Sequence, residues 1–142
     1  MATPHVDLSA ITTLAEIVVR GGDAHDPRAR RTLQQGYQQH LNFPDVQGLS
    51  VVFRAGASLD DLARAAAYPN AKLSYSVVSR LLAELSVARY EIVLFVTPSR
   101  RLPDHHTLAV AVGGTTLPTL PDAAADALIR ALIVVDNPYR QP

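Results

Sequence analysis

At 142 residues, with 48% hydrophobic and 18% charged residues, the chain has a globular composition and the length of one domain, which excludes a disordered or disulfide-stapled class. Thirteen basic and thirteen acidic residues cancel, so no long-range field draws nucleic acid or an anionic membrane, and any anion site must be local. With no cysteine there are no disulfides, thiolate metal ligands or cysteine nucleophiles.

The amino end lacks a basic n-region and its apolar segment is interrupted by Glu16, so no signal peptide is expected. No apolar run reaches the roughly 18 residues needed to span a bilayer. A soluble, cytoplasmic protein is expected. Twelve arginines against the single Lys72, with many alanines, read as a GC-rich bacterial genome rather than as a function.

Taken in order, residues 7–20 show Ile11, Leu14, Ala15 and Val18 at helical spacing behind Asp7 or Ser9 as N-cap, and Gly21-Gly22 ends the segment. Asp26 caps and Pro27 opens a second helix to about Leu41, with Leu33, Tyr37 and Leu41 as its apolar stripe. Residues 49–54 (LSVVFR) alternate as a first strand. Ser58 then caps a helix over 59–67, and Ser74 or Ser76 opens another through Leu85.

Residues 90–96 (YEIVLFV) are apolar on both faces and β-branched, the pattern of a central strand. Thr97-Pro98 ends it, because proline has no ladder donor. In the return strand to Val112, His106, Leu108 and Val110 point one way, while His105 and Thr107 share the other face. Residues 113–120 (GGTTLPTL) form an extended connector, and residues 122–135 a last helix, acidic in its first turn. The expected fold class is therefore α+β: a small sheet of about three strands, with a central β-hairpin at about 90–112, covered by about five helices. Residues 1–142 form one domain, an N-terminal helical pair at about 7–42 joined to an α/β core at about 49–135.

The loop 99–106 (SRRLPDHH) is the first candidate for chemistry. Arg100 and Arg101 can hold a phosphate or carboxylate by forked, charge-assisted hydrogen bonds. His105 or His106 beside Asp104 can act as an oriented acid or base. His105-x-Thr107 resembles one half of the two-histidine phosphoesterase signature. The second copy is missing, since His5 and His40 are followed two residues later by Asp7 and Asn42. Asp104-His105-His106 also resembles the short motif of the DHH phosphoesterases, without the further aspartate motifs of those longer enzymes.

The second candidate is residues 21–31 (GGDAHDPRARR). Arg28, Arg30 and Arg31 stand against the macrodipole at a helix start, a cost that a bound anion, an acidic partner or Asp23 and Asp26 would offset. Asp23, His25 and Asp26 could ligate a metal only with further ligands from elsewhere. The third is Arg54 on its strand with Ser74-x-Ser76, which resembles the NAD-holding pattern of ADP-ribosyltransferases but lacks the later acidic element. Walker, dinucleotide-glycine, G-x-S-x-G, H-E-x-x-H and zinc-spacing motifs are absent.

Two function classes follow. One is a self-associating or protein-binding module, its extended residues 115–121 lying on a neighbour. The other is a small enzyme or toxin acting on a phosphodiester, nucleotide or NAD. In that second class Asp104, His105 and His106 are catalytic, and Arg100, Arg101, Arg54, Arg28 and Arg31 bind substrate. No metal or cofactor is specified, and neither a membrane nor nucleic acid is an expected partner.

Overall fold

The computed structural model of the protein describes residues 2–10 and 15–139. Among these residues lie eight strands and four helices: β1 (Glu16–Gly21), α1 (Ala29–Gly36), β2 (Gln38–Gln39), β3 (Gln47–Phe53), α2 (Leu59–Ala66), β4 (Lys72–Val77), α3 (Val78–Val87), β5 (Glu91–Val96), β6 (His105–Val112), β7 (Thr115–Thr116), α4 (Asp122–Ala131) and β8 (Ile133–Asp136). The main sheet runs β5-β6-β3-β1-β4-β8, antiparallel at each neighbouring pair, with β2 added to β3 and β7 to β6.

This is a large sheet with four helices, and the expected three strands under five helices are corrected by it. Three segments account for the difference, each a run of β-branched residues whose apolar positions also fit a helical stripe. In the first, residues 7–20, positions 11–14 lie outside the described residues and the rest turns out to hold β1. That strand sits between β3 and β4, so the expected N-terminal helical pair supplies a central strand of the sheet. Ile17 and Val19 are buried on one face and Val18 on the other. A strand covered on both sides reads as a continuous apolar run, which periodicity cannot tell from a buried helix.

The second segment, 74–85, divides into β4 and a helix that begins only at Val78. Its first amide is satisfied by the Ala15 carbonyl at 2.8 Å, so neither serine is needed as a cap. The third, 122–135, stops being helical at Ala131. Leu132 is already extended, and Ile133-Val134-Val135 pair with β4 as an edge strand. Helix α1 is likewise shorter than expected, ending at Gly36 before the β2–β3 hairpin.

On one face of the sheet, Ile17, Leu49, Val51, Phe53, Leu108 and Val110 pack with Leu33 of α1, Leu81 and Leu85 of α3, and Leu128 of α4. Each buried leucine contributes about 1.5–3 kcal/mol. Alanines 124, 127 and 131 let α4 approach its neighbours closely. The opposite face is covered by α2, where Leu62 meets Val18 and Val52. There the structure shows the expected Ser58 cap, and Asp61 completes it as a reciprocal capping box at the helix start.

Strand β5, expected at the centre, lies at the end of the sheet order. Its outer edge is bonded by the N-terminal segment, through Val6 N–H to the Leu94 carbonyl (2.8 Å) and Val96 N–H to the Pro4 carbonyl (2.9 Å). The connector at 113–120 is bonded to its own chain. Gly113 and Gly114, both at positive φ, turn β6 into β7. The Tyr37 hydroxyl then donates to the Leu117 carbonyl (2.9 Å) while accepting from the Val110 amide (3.0 Å), and Gln34 donates to the Leu120 carbonyl (3.0 Å). Among the described residues no helix is long and apolar enough to cross a membrane.

Candidate functional site

The residues singled out in the 99–106 loop do not converge. Ser99 and Leu102 close a tight turn, the Ser99 amide donating to the Leu102 carbonyl (3.2 Å) and the Leu102 amide to Ser99 Oγ (3.1 Å). Arg100 and Arg101 are exposed at its tip, with no ion pair to any described residue. The Asp104 carboxylate faces Arg54 Nε at 3.6 Å, so both are used as an ion pair at the end of β3. It orients neither histidine.

His105 and His106 follow each other on β6 and therefore point to opposite faces. His106 is 8% exposed, stands edge-on to Phe53 at 5.5 Å in the helix-covered core, and donates from Nδ1 to the Asp104 backbone carbonyl (2.8 Å). The structure places it as a buried histidine packed on Phe53.

Burial holds the His106 imidazole below its ordinary pKa. The unfolded chain then takes up a proton at a pH where the folded one does not. Stability from this group is full above pH about 6.5 and is lost as pH falls toward the depressed folded value. His106→Leu should flatten the decline in urea midpoint between pH about 6.5 and 5, a range above most carboxylate titration. An unchanged slope would show that this imidazole carries none of the decline.

His105 faces the other way, into a cleft of about 410 Å³ lined by Gly36, Gln38, Gln39, His40, Leu41, Asn42, Gly48, Ser50, Ser99, His105 and Thr107. Sequence reasoning missed the residue that completes it. The β2–β3 hairpin brings His40 against His105, with ring centroids 5.6 Å apart and planes at 73°. Three contacts hold the 40–46 loop in place: the Phe43 ring on His40 (4.9 Å), the His40 amide on the Val46 carbonyl (2.9 Å), and the Asp45 carboxylate, which accepts from both the amide and hydroxyl of Thr3 at 2.8 Å. The only signal in the sequence is His40-x-Asn42, an incomplete echo of His105-x-Thr107.

No protein-family model, curated protein or solved structure matches this chain. The chemistry of the cleft therefore rests on its hydrogen bonds.

His105 Nδ1 lies 2.8 Å from the Thr97 carbonyl, which can only accept, so Nδ1 carries the proton and Nε2 of the neutral ring is bare. Thr97 Oγ1 sits 3.0 Å from the same nitrogen and 2.9 Å from Thr107 Oγ1, which fixes the ring further. His40 has the reverse arrangement. Its Nδ1 accepts the Asn42 amide (3.0 Å), so its proton is on Nε2. Burial and then the neighbouring His105 hold its pKa down, which keeps this ring neutral. One imidazole thus offers a lone pair and the other an N–H, and neither Nε2 has a protein partner among the described residues.

The other candidates stand apart from this cleft. Arg28 and Arg31 line a separate hollow of about 300 Å³ with Asp23, Asp26, Thr32 and Gln35, which shares no residue with the histidine cleft. The cost of the basic first turn is offset within the chain: Arg28 lies 3.6 Å from Asp26, and Arg30 makes a forked pair with Asp126 of α4 (2.9 and 2.8 Å). His25 Nε2 is bonded to the Leu132 carbonyl (3.1 Å), and no cluster of three acidic or histidine side chains suited to a metal occurs among the described residues. Ser74 and Ser76 are fully buried in β4. Ser74 Oγ accepts from the Ala24 amide (2.9 Å) and donates to the Gly22 carbonyl (2.8 Å), which leaves it nothing to offer a nucleotide.

Proposed function

We propose that this chain binds a phosphate-bearing small molecule in the His40–His105 cleft. The observation that carries this reading is the pair of unpartnered Nε2 atoms, one bare and one protonated, on rings 5.6 Å apart. When His105 takes up a proton, both become donors and the cleft gains a positive charge. The Ser50 hydroxyl is a neutral donor beside them, and the side-chain amides of Gln38 and Gln39, each giving one N–H to the Gln35 and Pro44 carbonyls, keep a second.

A histidine-resolved NMR titration with 5′-AMP is expected to shift the His40 and His105 ring signals with a Kd below about 1 mM. His105→Ala should weaken that binding at least about tenfold, the loss of one charge-assisted hydrogen bond. Shifts confined to His5, His25 or His106, or none, would overturn the assignment.

A second reading, turnover at the same site, is favoured by the locked tautomer of His105. With Nδ1–H held by Thr97, its Nε2 lone pair is placed as a general base. It would take a proton from an attacking water as the oxygen–phosphorus bond forms, and return it to the leaving oxygen as the old bond breaks. His40 would donate a hydrogen bond throughout and keep its proton. Hydrolysis of bis(4-nitrophenyl) phosphate that is absent in wild type, or undiminished in His105→Ala, would remove this reading while leaving the binding site intact.

A further inference from the structure

We infer that the cleft is selective for singly charged phosphodiesters over doubly charged phosphomonoesters. This rests on the binding reading above and adds the class of ligand. Among the described residues lining the cleft there is no arginine, lysine, aspartate or glutamate, so the ionisable groups among them are the two imidazoles. They cannot both be charged at low cost. A second proton on His40 would go to Nδ1, breaking the hydrogen bond from the Asn42 amide and setting two cations ring against ring at 5.6 Å.

The charged and titratable groups nearby do not add to the count. Asp104 is paired with Arg54, and the Asp45 carboxylate is occupied by Thr3. His106 faces the opposite side of the sheet, and His5 lies edge-on to Phe95 at 6.4 Å. Arg100 and Arg101 project from the turn beyond Ser99 and are not part of the lining. The cleft therefore holds at most one positive charge, beside neutral donors. That suits a phosphodiester, which carries one negative charge, and leaves half the charge of a dianion unmatched.

The apolar part of the lining agrees with this. Leu41 is 96% exposed at the cleft mouth, where an ester substituent would cover it.

The test compares bis(4-nitrophenyl) phosphate with 4-nitrophenyl phosphate by calorimetric titration at pH about 7, above the second phosphate pKa of about 6. The diester should bind at least about tenfold more tightly, and Leu41→Asp, which puts a carboxylate on an exposed side chain without touching the core, should weaken it by a similar factor. Equal or tighter binding of the monoester, with both ligands lost in His105→Ala, would overturn the selectivity and leave the site standing. If neither ligand binds, or His105→Ala and Leu41→Asp bind both as wild type does, the site assignment fails with it.

Discussion

Replacing Gly48 by alanine is expected to destabilise the fold by about 2–3 kcal/mol and to displace His40 from His105. Gly48 lies in β3 one residue before the Leu49–Leu108 pair, where the β2–β3 hairpin passes close over β6. A Cβ built there would sit 2.4 Å from the Leu108 carbonyl oxygen and 2.8 Å from its carbon, with Thr107 Cγ2 at 2.9 Å. Two of these three atoms are backbone of a paired strand and cannot rotate aside, so the hairpin has to move.

Gly36→Ala serves as the control. Its Cβ would meet Leu49 Cδ2 at an ordinary 3.6 Å, and at the last residue of α1 alanine should be neutral or stabilise by up to about 0.5–1 kcal/mol. Urea midpoints read both effects, and the loss of ring-current shifts between His40 and His105 reads the displacement. A Gly48→Ala protein as stable as Gly36→Ala would refute the close crossing.

The other large effect is expected from Ser74→Ala. The hydroxyl is wholly buried and bonds two backbone groups of the 22–24 turn; removing it orphans the Ala24 amide and the Gly22 carbonyl together. At about 1–3 kcal/mol for each unsatisfied group, partly relieved by relaxation, the cost should be about 2–4 kcal/mol. In thermal unfolding this is a fall of about 3–4 °C for each kcal/mol. Ser76→Ala should cost less, about 0.5–1.5 kcal/mol, because Ser76 Oγ donates only to the adjoining Val77 carbonyl (3.0 Å). Equal, small losses from both would mean that the turn at residues 22–24 does not depend on Ser74. A loss of ligand binding without loss of stability would instead restore the nucleotide-holding role that Ser74-x-Ser76 suggested.

Where the chain's preference is local, the sequence was readable. Ser58 announces α2 because an N-cap acts on the first turn of its own helix. The β5 and β6 strands were legible from their β-branched runs, and with them the division of His105 and His106 between two faces. The errors lie where a short apolar run satisfies two periods at once. Residues 16–21, 72–77 and 133–136 carry spacings that fit a helix, and only their pairing with β3, β4 and one another made them strands. The candidate residues part for a related reason: Arg100, Arg101 and Asp104 are neighbours of His105 in sequence, but the arginines sit exposed on the turn and Asp104 pairs with Arg54.

The sequence by itself determined a cysteine-free, charge-balanced α+β chain, the hairpin of β5 and β6, and His105 as a side chain on the same strand face as Thr107. Only the tertiary structure decided that β1 sits between β3 and β4, that His106 belongs to the core, and that His40 is the partner of His105 across 65 residues of chain. The physical reason is that residue type and spacing encode local conformation and facing, whereas the neighbours across a sheet are chosen by packing. Here a side chain's absence at Gly48 lets one hairpin lie close against β6.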